Sequence, residues 1–485
     1  MNVGTVFKNK VVFYLGSRYL TYFIQFVTSL VIAAELGPYY MGIWGFILLL
    51  VQYFQQLHFG IANSFNVLYV QHRQNLQECN NYIGNSLLLV SYLAFFVIAF
   101  YLFNIIFGIS GFEKFNASHY ILWVCLIAIL QYFVQFFTNL FRVKNQLNRV
   151  TFCQSIIVLL TFVCVFLFKG EQLIISLIAS YVVGNLLCFL IAFTSGAIPK
   201  PGNIQFRISY QREIIQKGLF LFLYNSCFYF IIISIRTIIS GFYTVEDFGC
   251  FTFSFTLAQA ILLILDSLSF VIFPKVIGKL SSGDNQEAKS TIVLLRLLYI
   301  TSAHFLIYVA LIAFPIVLLF LPKYTDALTS LNLIALTVLM GTSTYGYLEL
   351  LISRNKEKLA ACLSALALII NCAIALFLVL VVKVLYDFVI LATMVTYALF
   401  SVLVLKTSSK LLEKRSLLSV IKEVMPMRLF IPYIIAAIIS LLQLQTYYFV
   451  VIPLVVFCVL NLKTFGTIIG TVKKILYEPE IVNLK

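Results

Sequence analysis

Long apolar runs alternate with short polar stretches along the whole chain. A helix needs roughly 20 apolar residues to cross ~30 Å of hydrocarbon. With that window the pattern predicts fourteen membrane spans, at 11–34, 43–70, 82–107, 119–141, 150–168, 172–194, 214–241, 248–274, 291–321, 327–352, 359–382, 384–405, 429–445 and 447–462. The runs are continuous, which excludes a membrane β-barrel built from short strands of alternating polarity. Basic residues test the number independently. Segments on one side of the predicted layer hold 27 Lys and Arg, those on the other only 4. By the positive-inside rule the richer side is cytoplasmic, and both termini then lie there. Lys8 and Lys10 precede the first run as in a signal peptide. Arg18 interrupts that run and no small-x-small site follows, so it reads as a retained first span.

Composition sharpens the picture. The chain is 62% apolar and 11% charged, whereas soluble domains are about 45–50% apolar and ~25% charged. A soluble enzyme, a disordered chain and a disulfide scaffold are all excluded. The net charge of +15 would suggest nucleic acid in a soluble protein. Here it is a topology signal, with an excess of 18 on the cytoplasmic side against a deficit of 3 outside. The ten cysteines form no C-x-x-C and mostly sit in apolar runs, where they read as small hydrophobes, so no disulfide framework or metal site is expected.

A shift of 207 residues superposes Tyr22 on Tyr229, Gly42 on Gly249 and Gln52 on Gln259. These identities point to two parallel six-helix repeats. The expected organisation is an N-terminal bundle over 1–195, a cytoplasmic linker over 196–213 that would serve as a hinge, and a second bundle over 214–405. A basic linker over 406–428, helices 13 and 14 over 429–462, and a cytoplasmic tail over 463–485 follow.

Once the charges near span ends are counted with the loops, four remain inside spans: Arg18, Arg236, Asp266 and Glu349. Each costs about 2.5–3.5 kcal/mol near a bilayer centre, so each needs a partner or water. Arg18 heads a stripe of Tyr22, Gln25 and Ser29 on the first helix. The second carries Gln52, Gln56, Asn63 and Asn66 on one face, and the fourth Gln131, Gln135 and Asn139. The seventh offers Asn225, Tyr229, Arg236 and Ser240, the eighth Gln259 and Asp266. Facing one another, these stripes would line a wet cavity between the repeats. Amides and tyrosine hydroxyls suit sugar hydroxyls, since they donate and accept. Arginine suits a diphosphate through its two-pronged fork. The substrate-binding candidates are thus Arg18, Tyr22, Gln25, Gln52, Gln56, Asn63, Asn66, Asn225, Tyr229, Arg236 and Gln259. Asp266 and Glu349 are the candidates if transport is ion-coupled. Blander readings stay open. The amides could be interhelical glue, Arg236 could snorkel to the outer surface, and Glu349 could be interfacial. His58 and His304 read as packed rather than as proton carriers.

The passage LGPYYMGIWG (36–45) resembles the short outer turn between the first two helices of the polysaccharide-transport branch of the multidrug/oligosaccharidyl-lipid/polysaccharide (MOP) exporters. The FG of HFGIANSF (58–65) resembles that family's motif within helix two. One departure is that the family often has an acidic residue just before the FG, where His58 stands here. The resemblance implies an all-α membrane protein with a MATE-like, V-shaped central cavity. It implies a Wzx-type flippase in the bacterial inner membrane, moving an undecaprenyl-pyrophosphate-linked oligosaccharide, an O-antigen unit foremost, from the cytoplasmic to the periplasmic leaflet by alternating access. Membrane lipids and polysaccharide polymerase machinery would be its partners, with no nucleic acid. No cofactor is expected, and proton or sodium coupling is left open.

Two other classes stand beside it. A membrane polymerase, ligase or acyltransferase would need a catalytic loop, yet the longest outer loop, 108–118, holds only Glu113 and Lys114 as charges. A cation-coupled drug exporter, or an exporter of another lipid-linked glycan, would come from the same superfamily. No nucleotide-binding motif occurs, so an ATPase is not expected.

Overall fold

A computed structural model of the chain describes residues 10–107, 110–281, 284–413, 416–444 and 447–477; the side chains of 10–15, 110–112, 117, 264, 266–275, 277–278, 281, 447 and 467–477 lie outside the description. The described elements are helices. The first, α1 (Lys10–Gln56), has 47 residues and breaks at Gly37 (φ 66°, ψ 175°), which precedes Pro38. Unbroken, it would be ~70 Å long at 1.5 Å per residue, over twice the hydrocarbon thickness. The break therefore divides it into the first two spans. There follow α2 (Ile61–Gln71), α3 (Leu76–Phe107), α4 (Ile121–Val143), α5 (Leu147–Leu167), α6 (Gly170–Thr194), α7 (Ile208–Phe242), α8 (Val245–Ser281) and α9 (Asn285–Phe320). The remainder are α10 (Leu328–Gly341), α11 (Tyr347–Ser353), α12 (Glu357–Phe377), α13 (Leu391–Ser409), α14 (Leu417–Val424), α15 (Met427–Leu441) and α16 (Tyr447–Tyr477). Among the described residues eleven helices are long and apolar enough to cross a membrane, and the pair α14–α15, bent by 64°, raises this to twelve. Counting the arms of α1 separately and adding α8 puts a helix at each of the fourteen expected spans.

The chain forms two compact units. Unit 1 holds the described residues up to Ser226 together with Thr244–Gly249; unit 2 holds Cys227–Tyr243 and the described residues from Cys250 onward. In unit 1, α4 is the hub, packing against α1, α2, α3, α5 and α6. Its Phe136, Phe137, Leu140 and Phe141 are fully buried. The Phe136 ring lies 5.0 Å from that of Phe65 on α2, and the Phe137 ring 5.8 Å from that of Phe189 on α6. Lipid tails are as apolar as these side chains, so dispersion and interhelical hydrogen bonds hold the bundle rather than escape from water. Gln55 donates to Gln131 at 2.5 Å and Asn66 to Asn139 at 2.7 Å, joining the second span to α4. Such bonds average about 0.6 kcal/mol within a membrane.

The start of α8 joins unit 1 through two glycines that let backbones meet. A Cβ on Gly249 would overlap the Pro38 carbonyl oxygen, and one on Gly42 would overlap that of Val245. They are the pair superposed by the 207-residue shift. In unit 2 the hub is α10, packed against α9, α13 and α15. Leu331 and Leu333 to Leu336 are fully buried there. Each unit is thus centred on the helix that the repeat places fourth.

The stretch 196–213 is hydrogen-bonded along α3. The Asn81 side chain accepts from Gln205 N at 2.8 Å and donates to the Tyr210 hydroxyl at 3.0 Å. The Asn85 amide donates to the Gln205 carbonyl at 2.9 Å and accepts from Arg207 N at 3.3 Å. The Tyr82 hydroxyl donates to Glu213 at 2.9 Å. Extended backbone that lacks a helix's own hydrogen bonds is thereby paired by one turn of α3, within unit 1. From the other side, Lys144 donates to the Ala197 carbonyl. Burial lowers the pKa of that lysine, partly offset by Cys79.

Asn85→Ala removes two of these contacts and leaves the Gln205 carbonyl without its amide donor. A loss of about 1–3 kcal/mol follows, read as a lower Tm of the detergent-solubilised protein and faster tryptic cleavage at Arg207. An unchanged cleavage rate would show that the segment is held by other means.

Candidate functional site

The second span is discontinuous. Helix α1 ends at Gln56, α2 begins at Ile61, and the four residues between turn through Phe59 (φ 47°) and Gly60 (φ 69°). A break inside a span frees backbone groups that lipid cannot satisfy. Here side chains take them up. The His58 Nδ1 accepts from Gly60 N at 2.9 Å, and the Ser64 hydroxyl donates to the Gly60 carbonyl at 3.0 Å. Nδ1 must then be unprotonated, leaving the ring proton of neutral His58 on Nε2. The break is also a docking point for α7. A Cβ on Gly60 would sit 2.9 Å from the Phe222 Cβ, and the His58 and Phe59 rings lie 5.5 and 5.4 Å from that of Phe222. His58 is therefore packed, as expected, but it is also the cap of the break.

On the first arm of α1, Arg18 donates to the Tyr22 hydroxyl at 2.5 Å, with its guanidinium carbon 4.5 Å from the ring centroid. Spacing of four residues sets this pair on one helix face. Gln25 is exposed and Ser29 half-buried on the same face. Beside this stripe on the helix, buried Thr21 meets Ser155 of α5 at 2.8 Å. The second span divides its amides. Gln52, Gln56 and Asn63 are half-buried; Gln56 accepts from Ser226 at 3.5 Å. Asn66 is tied to Asn139, the glue role left open in the sequence. Gln55, which no stripe had singled out, has the same role. Asn225, at the end of the α7 arm in unit 1, is exposed.

In unit 2, the arm Cys227–Tyr243 is fixed by the fully buried Asn371 of α12. That amide donates to the Ile231 carbonyl at 2.7 Å and to Ser234 at 2.9 Å, and accepts from Thr393 at 3.0 Å. Arg236 is 2% exposed and lies 5.0 Å from the Phe255 ring centroid. It does not snorkel. A desolvated cation over a ring gains about 2 kcal/mol. Tyr229 is half-buried within electrostatic reach of Arg236, and Gln259 is exposed. The side chain of Asp266 lies outside the described residues.

Glu349 serves as a helix cap. It is buried and accepts from Gly346 N at 2.6 Å, capping α11 where the tenth span is interrupted. The carbonyls opened by that interruption go to Arg296 of α9, which donates to Ser343 at 2.5 Å, to Tyr345 at 3.1 Å and to Glu423 of α14 at 3.0 Å. No polar stripe singled out Arg296, although it falls inside the predicted span 291–321, and that position was the available signal. His304 is buried, bonded to the Tyr308 hydroxyl at 2.9 Å.

Residues 7–280 match the polysaccharide biosynthesis protein family. Among solved structures, the chain is similar to the lipid II flippase MurJ in an inward closed conformation, with a TM-score of 0.70 and 14% identity over 95% of this chain and 99% of that one. It is similar to an inward-facing multidrug resistance MATE transporter of the MOP superfamily, with a TM-score of 0.66 and 12% identity over 81% and 96%. A MOP transporter from Pyrococcus furiosus gives 0.57 and 13% over 83% and 95%. At these identities the likeness is one of fold, and it is the helical membrane fold the sequence had led us to expect. No curated protein matches the sequence.

The break in the second span yields a direct test. Gly60→Ala puts a side chain into a left-handed conformation, at about 1–2 kcal/mol, and against Phe222. The expected result is a fall in Tm of the solubilised protein, with Phe222→Ala recovering part of it. A wild-type Tm in Gly60→Ala would mean that the turn relaxes freely.

Proposed function

The chain belongs to the polysaccharide biosynthesis protein family, and from that premise we propose that it is a flippase for a lipid-linked glycan, a transporter rather than an enzyme. The finer reading is a polyprenyl-pyrophosphate-linked oligosaccharide, an O-antigen repeat unit foremost. It would be carried by alternating access from the cytoplasmic to the periplasmic leaflet of a bacterial inner membrane, with both termini cytoplasmic. The observation that carries this reading is Arg18. A guanidinium within an apolar helix is costly unless it meets an anion or water. Here it is bonded to Tyr22 and continued by the exposed Gln25. A diphosphate matches the guanidinium fork, sugar hydroxyls match the amides and phenol, and the polyprenyl tail stays in lipid. The task of the polar stripe is to replace the water that the charged, hydroxylated head gives up. The fold similarity to the lipid II flippase MurJ supports the same class of cargo.

Deleting the gene should strand lipid-linked saccharide units on the cytoplasmic face. Arg18→Ala should lower transport roughly 10- to 100-fold, the worth of a charge-assisted hydrogen bond of about 1.5–3 kcal/mol, while Arg18→Lys restores part of it. Normal surface polysaccharide in the deletion strain sinks the flippase reading; full activity of Arg18→Ala sinks only the site.

The cap geometry weighs against Glu349 as an ion carrier. Glu349→Gln keeps an oxygen to accept from Gly346 N but cannot titrate. Transport is expected to stay within about twofold of wild type, with the same dependence on external pH. A flattened pH profile would restore Glu349 as a coupling residue.

A further inference from the structure

Two cavities of unit 1 share a wall, and they differ in chemistry as the two ends of a glycolipid differ. The first encloses about 580 Å³ where the Gly37 turn of α1, the segment before α4 and the first turn of α6 converge. Tyr39, Tyr40, Tyr120 and Trp123 present rings to it, with Tyr39 and Tyr40 edge to face at 5.3 Å. Asn116, His119 and Glu171 supply donors and acceptors. The second, about 590 Å³, runs along α5 and α6 past Leu160, Cys164, Phe168 and Val183. Its two serines bond within their own helix, Ser176 to the Leu173 carbonyl and Ser180 to that of Ser176, each at 2.8 Å, so the groove is apolar apart from Gln172. Ile175 and Ala179 line both cavities.

The cleft suits a saccharide. Pyranose rings offer C–H faces that settle on aromatic rings and hydroxyls that need donors and acceptors together, which Asn and His provide. Its volume lies in the range of small-molecule sites, about 300–1,000 Å³. An interfacial aromatic belt alone would scatter Tyr and Trp around the bundle at headgroup level. Here four rings converge with three polar side chains on one concavity. No Lys or Arg is among the residues lining either cavity, so a diphosphate would stay in water while the sugars and the chain are held. The cleft is built from segments that the charge pattern assigns to the outer side, opposite the cytoplasmic loops.

We infer that this pair of cavities is a second site for the cargo, on the outer side of unit 1, with the glycan in the aromatic cleft and the polyprenyl chain in the α5–α6 groove. The inference rests on the flippase reading. The site holds the substrate after its head has crossed, and gives the carrier a dedicated exit along the outside of unit 1.

Photo-crosslinking in the source cells tests it with the native ligand. The full-length protein carries p-benzoylphenylalanine in place of Trp123, Leu160 or, as a lipid-facing control, Leu190, and adducts are identified by mass. Polyprenyl-linked saccharide is expected at 123 and 160 and bilayer phospholipid at 190. In the protein labelled at 160, Trp123→Ala should cut the glycolipid adduct about three- to tenfold, the worth of an aromatic contact. Ala179→Trp, at an exposed position, should cut the glycolipid adduct in the protein labelled at 123. Phospholipid alone at 123 and 160, or glycolipid equally at all three positions, overturns the site and marks the cleft as part of an aromatic belt. If saccharide is stranded on the cytoplasmic face of the deletion strain while those adducts are absent, the outer site fails and the flippase reading stands.

Discussion

Each span of this chain lies in a medium that offers no hydrogen bonds, so every interruption of a helix must be repaired by a side chain. The break at 57–60 is repaired by His58 and Ser64. The one at 342–346 is repaired by Glu349 on its amide side and by Arg296 on its carbonyl side. These repairs account for where several of the polar residues of the spans sit. They also decide which residues are left for cargo. Glu349 and Arg296 are committed to backbone, whereas Arg18 donates to a side chain of its own helix, Tyr22.

Side chains also pair the stretch 204–207, although the charge pattern puts it outside the lipid, where water could serve it. Extended backbone at the edge of a bundle needs partners, and Asn81 and Asn85, one helical turn apart, supply them. The consequence is mechanical. A segment with two prolines and a glycine reads as a joint, yet its hydrogen bonds make it part of unit 1, which continues along α7 to Ser226. Composition reports what a segment can do when free. It does not report what has been pinned to it.

Much of the architecture was legible because lipid imposes a length and a sidedness on sequence. Fourteen apolar runs became fourteen helical spans, and the repeat was visible in Gly42 and Gly249, whose close approach forbids a side chain at either. The polar residues were harder to read. Asn66 and Gln52 look alike in a stripe, but one faces Asn139 across an interhelical contact. Arg296 lies near the cytoplasmic start of its predicted span, where a basic residue looks like part of the positive-inside pattern, yet it is bonded to Ser343 and Tyr345. Arg236 lies near enough to a helix end to snorkel, yet Phe255 holds it inside.

The sequence by itself determined that the chain is a multi-pass helical membrane protein, where its spans lie and which residues are costly to bury, since hydrophobic length and charge asymmetry are local quantities summed along the chain. The role of each polar residue was decided only by tertiary structure. An amide or a guanidinium has the same chemistry whether it meets a carbonyl, another amide, a ring or a substrate. The partner is fixed by which helices pack together, and that information is spread over residues far apart in the chain. Arg18 and Glu349 began as two charges of equal standing in apolar runs. Packing gave Glu349 to a helix cap and left Arg18 at the head of a polar face.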